Sequence, residues 1–135
     1  MAESVLVDGG FLIALLSRRD RHHLWAASQA PQRTPPWKTC EAALSEAFHL
    51  LGAHGRPSLA ALLHRGAVVS AFDFTGELAR VLDLMKKYAD VPMSMADACL
   101  VRMSDTLPDP LVLTTDADFR LYRRHSRQVI PCVSP

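Results

Sequence analysis

Cysteine is scarce in this sequence, and its spacing matches no common metal-binding or redox motif. Cys40, Cys99 and Cys132 are an odd set in which no two form a CxxC pair. A disulfide framework or a zinc site normally needs paired or regularly spaced cysteines, so the sequence argues against both. A few unpaired thiols are typical of a reducing compartment, and we therefore expect a cytoplasmic protein.

Long apolar runs and a strong net charge are also missing. No apolar stretch reaches the roughly 18 to 20 residues that span a bilayer, and no basic segment precedes the first apolar stretch, so we expect neither a membrane span nor a signal peptide. The formal net charge of +1 is less basic than is usual for a nucleic-acid-binding domain. Basic residues are nevertheless concentrated in two places, either of which alone is typical of a solvated surface. We call them the early cluster (Arg18, Arg19, Arg21, His22, His23) and the late cluster (Arg120, Arg123, Arg124, His125, Arg127).

The sequence does contain an alternation of apolar patterns typical of strands and helices. Its 135 residues are about the size of one domain, and we predict a single domain, 1–135. Predicted strands cover 4–7, 67–72, 111–113 and 128–132. Predicted helices cover 11–17, 22–30, 39–51 with Thr39 as its cap, 57–66, a segment opened by Thr75, 94–103 and 118–123. This pattern predicts an α/β fold of three layers, with a central, mainly parallel sheet and helices on both faces.

Two aspartates follow predicted strands closely. Asp8 comes directly after strand 4–7, and Asp116 comes shortly after strand 111–113. Ligands of such sheets bind outside the carboxyl ends of the strands, so we expect the two carboxylates at one edge. Each also has a structural explanation, because Asp8 could cap the next helix and Asp116 could form an Asx turn with Asp118.

Two further acids lie in apolar surroundings. Glu46 lies in mid-helix at the margin of the apolar face, and Asp97 lies within the run MSMADACLV, where Ser94 could form a capping box with it. Glu41, by contrast, is explained by its position in the first turn of its helix. Acids in apolar surroundings need a partner, but only Arg102 lies near Asp97 in sequence. A hard cation such as Mg²⁺ or Mn²⁺ is the partner that oxygen ligands favour.

In these residues the chain resembles PIN-domain ribonucleases, whose fold is shared by VapC-type toxins of bacterial toxin–antitoxin pairs. The resemblance spans essentially the whole chain, and four blocks in the right order carry it. These are VLVDGGFLIALL (5–16), LSEAFHLL (44–51), MADACLV (95–101) and LTTDADF (113–119).

The resemblance implies a metal-dependent endoribonuclease. The family's acids match Asp8, Glu46, Asp97 and Asp116, with Asp118 as a second candidate in the last loop. They would hold one or two Mg²⁺ or Mn²⁺ ions for phosphodiester hydrolysis, while the basic clusters would hold the RNA backbone. The resemblance also implies a homodimer and, for a toxin, a small antitoxin that covers the acidic site. One position departs from the pattern, because Gly9 stands where the family commonly has Ser or Thr.

Other function classes fit the residues less well. A phosphatase of the haloacid dehalogenase type needs a second Asp where Gly10 stands, and a response-regulator receiver needs a late Lys, whereas no Lys follows Lys87. A non-catalytic PIN-like binding or assembly module is the alternative from a different class. Its weakness is that a scaffold has no reason to gather mutually repelling acids. A housekeeping PIN nuclease would look the same in sequence as a toxin.

Overall fold

The computed structural model describes residues 3–135. Its strands, in chain order, are β1 (Ser4–Val7), β2 (Trp37–Thr39), β3 (Val68–Ser70), β4 (Pro110–Leu113), β5 (Arg123–Arg124), β6 (Gln128–Val129) and β7 (Cys132–Val133). Its α-helices are α1 (Gly9–Leu16), α2 (His23–Gln29), α3 (Glu41–His64), α4 (Leu78–Lys87) and α5 (Met95–Thr106). A parallel five-stranded sheet has the order β3-β2-β1-β4-β7, and β5 pairs with β6 in a separate antiparallel ribbon.

The sheet separates two apolar cores, as the predicted three-layer arrangement requires. Successive side chains of a strand point to opposite faces, so Leu6 of β1 joins one core with α5 while Val5 and Val7 join the other with α1. All three side chains are at most 3% exposed. This two-sided burial explains why the strand reads as a continuous apolar run, and it confirms the predicted α/β fold.

The pairing of β1 with β4 brings two chemically important loops together. Val7 is in register with Leu113, and the backbone N–H of Asp8 donates to the Leu113 carbonyl at 3.3 Å. Both strands therefore end at the same edge. The segments after them, which begin with Asp8 and Thr114, start side by side.

One strand lies where no strand was predicted. Thr39 was expected to cap a helix, but it is the last residue of β2, and its Oγ1 donates to the Val7 carbonyl at 2.7 Å. Cys40 occupies the position before α3 and makes no side-chain cap. The prediction was wrong because β2 has only three residues and follows Pro35 and Pro36, which favour reading the region as a loop.

Other boundaries shifted for local reasons. Gly52, with φ 66° and ψ −167°, breaks α3 close to the predicted end of a helix. The helix expected to open at Thr75 begins as α4 at Leu78. The strand predicted over 128–132 is divided into β6 and β7, which belong to different sheets, and the helix predicted over 118–123 is a 3₁₀ turn, Ala117–Arg120.

Within residues 3–135, no helix has the length and apolar character needed to cross a bilayer.

Candidate active site

The five acids singled out in the sequence line one cavity, which we call the acidic cleft. It has a volume of about 310 Å³ and lies where β1 and β4 end. Glycines at the start of α1 and residues before and within α5 complete its wall. In the part of the chain that the structure describes, no Lys, Arg or His lines it. The acids that meet there are Asp8, Glu46, Asp97, Asp116 and Asp118.

Asp8 is the most firmly held of these acids. It caps α1, because its Oδ1 accepts the Phe11 N–H at 2.7 Å, and its Oδ2 accepts the Thr114 hydroxyl. The side chain is buried, and this burial raises the pKa of Asp8 to about 7 despite these hydrogen bonds. The negative charges of Asp97 and Asp116 contribute further to the increase. The capping explanation is therefore correct, and it coexists with a carboxylate that is costly to ionise.

Asp97 is positioned by α5 and by a distant tyrosine. Its backbone N–H donates to the Ser94 hydroxyl at 3.0 Å, so Ser94 caps the helix as predicted. Its Oδ2 accepts the Tyr122 hydroxyl at 3.0 Å. Burial raises the pKa of Asp97 to about 6, and the charges of Asp116 and Glu46 add to the effect, while the Tyr122 hydrogen bond opposes it.

Asp116 and Asp118 lie in the loop after β4. The Asp118 N–H donates to Asp116 Oδ1 at 2.9 Å, which is the predicted Asx turn. The Asp116 N–H donates to Thr114 Oγ1 at 2.8 Å, and that same hydroxyl donates to Asp8. Thr114 is fully buried and thus couples the two predicted aspartates directly.

Glu46 and Glu41 belong to different cavities although both are on α3. Glu46 lines the acidic cleft, whereas Glu41 lines a largely apolar cavity of about 250 Å³ with Cys40 and Cys99. Glu46 is exposed rather than at the edge of the core, so the expectation of apolar surroundings was wrong for this residue. Its Cδ would lie 3.7 Å from a Cβ placed on Gly9, so the missing side chain leaves room beside the glutamate.

Sequence reasoning did not identify Thr114 or Tyr122 as part of this site. Tyr122 lies 25 residues from Asp97 and Thr114 lies 106 residues from Asp8, and no local pattern links residues so far apart. Thr114 precedes Asp116 by two positions in TTDAD. A hydroxyl so close to a predicted metal ligand is the feature of the sequence that could have indicated a role for Thr114 in the site. Tyr122 carries no such signal.

The donor chemistry of the acidic cleft fits a hard divalent cation. The nearest arginine in sequence, Arg102, is bound to Glu77 at 2.5 Å and to Asp105 at 3.4 Å, so it does not neutralise Asp97. Carboxylate oxygens without a basic partner are the ligands that Mg²⁺ and Mn²⁺ prefer. Among residues 3–135, however, no three His, Cys, Asp or Glu side chains are close enough together to enclose an ion. Exposed side chains such as Glu46 would have to rotate inward to complete a coordination shell.

Comparison with known proteins places this architecture in a family. The crystal structure of Mycobacterium tuberculosis VapC20, a sarcin-ricin loop cleaving toxin, is similar with a TM-score of 0.71 and 21% sequence identity. The match covers 85% of this chain and 92% of that one, and at this identity it shows a shared fold. No curated protein matches by sequence. The PIN domain family model matches residues 5–124, most of the chain, and the chain therefore belongs to the PIN domain family.

Proposed function

We propose that this protein is a metal-dependent endoribonuclease that hydrolyses RNA phosphodiester bonds with Mg²⁺ or Mn²⁺. One observation carries the proposal: five carboxylates line a cleft that contains no basic side chain within residues 3–135. Two of them are held where burial and neighbouring charge oppose ionisation. Membership of the PIN domain family supports a nuclease. A bound cation would relieve the repulsion among these acids.

The chain's own residues would divide the work within the acidic cleft. Asp8, held on both oxygens, and Asp97, oriented by Tyr122, would supply the fixed ligands. Glu46 and Asp116, with Asp118 in the same loop as Asp116, would complete the set from less buried positions. When bound, the metal would polarise the phosphate and lower the pKa of an attacking water.

The start of α1 would bind the substrate phosphate. Gly9 and Gly10 line the acidic cleft and lie in the first turn of the helix. The first N–H groups of a helix have no partner within it and are directed at anions. A hydroxyl at position 9 is absent, but the backbone N–H of Gly9 remains available for this contact.

We further propose that the protein is the toxin of a toxin–antitoxin pair and acts in the cytoplasm. The similarity to VapC20, itself described as a toxin, supports this role, and the free thiols of all three cysteines suit a reducing compartment. A housekeeping PIN nuclease and a non-catalytic PIN-like module are the alternatives. The ionisation cost at Asp8 and Asp97 argues against a purely structural module.

Two protein partners follow from the proposed toxin role. A small antitoxin would cover the acidic cleft and could place a basic side chain among the carboxylates, as a metal ion would. A second copy of the chain would form a homodimer. Leu78 and Leu82, which are 42% and 53% exposed and lie one turn apart on α4, provide an apolar face suited to such an interface.

The two glutamates of α3 give a matched test of the nuclease. Glu46→Gln should lower Mn²⁺-dependent cleavage of RNA at least tenfold, about 1.4 kcal/mol of transition-state stabilisation, because it removes one carboxylate charge from the acidic cleft. Glu41→Gln removes the same charge from the neighbouring cavity and should leave cleavage near the wild-type rate. The measurement is the rate of cleavage of a labelled RNA in Mn²⁺ for purified, folded variants.

Reversed phenotypes would show that the second acid had been assigned to the wrong glutamate. Silent Glu46→Gln, Asp8→Asn and Asp97→Asn variants, each cleaving at the wild-type rate, would rule out the nuclease. A wild-type protein that cleaves equally well in EDTA would rule out the metal.

The toxin role has its own test in cells. Expression of the wild-type chain alone should slow bacterial growth, because an uncontrolled endoribonuclease destroys essential RNA. The Asp97→Asn variant at the same expression level should relieve the effect, as should co-expression of a small antitoxin encoded just upstream. Healthy growth alongside abundant, active wild-type protein would favour the housekeeping nuclease.

A further inference from the structure

A third cavity lies between the end of α1 and the middle of α3, and we call it the basic cavity. It has a volume of about 600 Å³, roughly twice that of the acidic cleft. The end of α1 and the turn after it contribute Leu16, Arg18 and Arg19 to its wall, and α3 contributes Leu51 and His54. Its lining is thus cationic with an apolar component, the opposite of the acidic cleft.

The same two helices connect the two cavities. Gly9 and Gly10 at the start of α1 line the acidic cleft, and Leu16 at its end lines the basic cavity. On α3, Glu46 lines the acidic cleft, and the basic cavity begins at Leu51. Because α1 has eight residues, the two cavities lie about 12 Å apart along it. The two cavities therefore adjoin opposite ends of α1 and have α3 as a common neighbour.

The arginines of the basic cavity are free to bind an anion. Arg18 and Arg19 are exposed, and within residues 3–135 no ion pair or side-chain hydrogen bond engages either of them. In the late cluster, Arg120 is bound to Ser134 and Arg123 donates to the backbone carbonyls of Arg120 and Tyr122, whereas within residues 3–135 Nε of Arg124 has no hydrogen-bond partner. Arg18 and Arg19 combine this unused charge with a position in the wall of the basic cavity.

The ligand chemistry follows from the lining. Arginine guanidinium groups bind phosphate oxygens through paired N–H donors. Leu16 and Leu51 add apolar surface that a nucleobase can cover, since nucleic-acid binding combines backbone charge with contacts to base faces. A strand whose scissile phosphate lies in the acidic cleft would reach the basic cavity about two to four nucleotides further along, at about 3.4 Å or more per nucleotide.

We propose that Arg18, Arg19 and His54 form a phosphate-binding subsite for the RNA strand, about 12 Å from the acidic cleft along α1. The subsite would hold the RNA backbone outside the bond that is cut and so fix which phosphate enters the cleft. This inference rests on the proposed nuclease for the identity of the strand. The cavity and its free arginines are independent of the catalytic assignment.

The test compares Arg18→Ala/Arg19→Ala with a single-site control, Arg65→Ala. Arg65 is an exposed arginine that follows α3, lies outside both basic clusters and does not line the cavity. Binding of a fluorescein-labelled 12-nucleotide single-stranded RNA is measured by anisotropy at several salt concentrations. All proteins carry Asp97→Asn, so that binding is read without cleavage, and circular dichroism checks that each variant is folded.

We expect the double variant to bind the RNA about tenfold more weakly. The slope of log K against log[salt] should become about 1.4 less steep, because each phosphate contact to a single strand contributes about 0.7 to that slope. Arg65→Ala should stay within about twofold of its parent and keep the slope. With Asp97 restored, the double variant should show a raised KM and a nearly unchanged kcat.

A double variant that binds RNA as the Arg65→Ala control does would overturn the subsite, as would a loss of kcat with unchanged affinity. The nuclease is tested separately. If the wild type does not cleave RNA in Mn²⁺ but the contrast in affinity persists, the proposed nuclease fails and the basic cavity remains an RNA-binding site.

Discussion

At the scale of single residues, Asp8 and Asp97 are held in different ways. Asp8 accepts hydrogen bonds on both oxygens, from the Phe11 N–H and the Thr114 hydroxyl, and its side chain is buried. The carboxylate of Asp97 accepts one strong donor, the Tyr122 hydroxyl at 3.0 Å. Tyr122 is fully buried and packs edge-on against Phe119 and Tyr88. The orientation of Asp97 therefore depends on one hydroxyl that the core holds rigidly in place.

Removal of that hydroxyl tests this dependence. Tyr122→Phe keeps the packing of the ring but leaves Asp97 without the donor that holds its pKa down. We expect the Mn²⁺ affinity to fall about tenfold, the lower end of the range of about 10- to 100-fold seen when a group supporting a metal ligand is lost. The rise of cleavage with pH should also move to higher pH. Metal titration and a pH–rate profile measure the two effects.

Tyr88→Phe is the matched control for this substitution. Tyr88 contacts the Tyr122 ring with centroids 5.1 Å apart, but its hydroxyl accepts the Arg123 N–H and does not touch an acid of the cleft. The Tyr88→Phe substitution should lower the free energy of unfolding somewhat and leave the Mn²⁺ affinity unchanged. Equal metal affinity in wild type and Tyr122→Phe would mean that the hydroxyl does not position Asp97.

At the scale of elements, the packing of α1 on α3 forms one wall of the acidic cleft. Gly9 begins α1, and a Cβ at this position would lie 3.1 Å from the Ala43 carbonyl of α3. That separation is shorter than ordinary van der Waals contact, and the neighbouring atom is backbone in a helix. The absence of a side chain thus permits a close approach of the two helices, and the same approach places Glu46 beside the start of α1.

Gly9→Ala should therefore destabilise the protein despite alanine's higher helix propensity. The added methyl must push α3 away by a few tenths of an ångström, and overpacking of this kind costs about 1–3 kcal/mol. Cleavage should fall as well, because Glu46 moves with α3. Chemical denaturation and the cleavage rate provide the two measurements. An unchanged or higher unfolding free energy would show that α3 yields freely, and would remove this explanation for glycine at position 9.

The elements also show which features the sequence determines locally. β1 and β4 were predictable because both are short apolar runs buried on both faces. The positions of Asp8 and Asp116 at one edge of the sheet followed from these two strands. The apolar run of α5 and its Ser94 cap were likewise local. β2 was not predictable, since its three residues are strand only through pairing with β1 and β3. The contacts of Tyr122 and Thr114 with the acids depend on the same long-range assembly, so the site's acids were identifiable while the groups that orient them were not.

At the scale of the whole molecule, the acidic cleft is a source of instability that a cation would remove. Burial and mutual repulsion raise the pKa of Asp8 from 3.8 to about 7 and that of Asp97 to about 6. The folded state therefore binds more protons than the unfolded state between about pH 4 and pH 7. Stability falls with pH wherever the folded state is the more protonated one. The contribution from Asp8 is thus fully present below about pH 4 and is lost as pH rises through about 7.

Asp8→Asn isolates this contribution, because asparagine caps a helix about as well as aspartate and carries no charge. Near pH 4 the variant and the wild type should have similar unfolding free energies. As pH rises to about 7, the metal-free variant should become more stable than the wild type by up to a few kcal/mol, since each pKa unit corresponds to about 1.4 kcal/mol. Asp83→Asn, an exposed position on α4 that does not line the cleft, should follow the wild type at every pH.

Mn²⁺ should narrow this difference at neutral pH. A ligand that binds only the folded state stabilises it by about 1.4 kcal/mol at tenfold its Kd, equivalent to a rise in Tm of about 5 °C for a domain of this size. The rise should be large for the wild type at pH 7.5, small at pH 5 where protons compete for the carboxylates, and nearly absent for Asp8→Asn and Asp97→Asn. Thermal melts at both pH values, with and without millimolar Mn²⁺, measure it. If Mn²⁺ raised the Tm of the wild type at pH 7.5 no more than that of either variant, the acidic cleft would not be a metal centre, and the excess stability of metal-free Asp8→Asn would reflect charge repulsion alone.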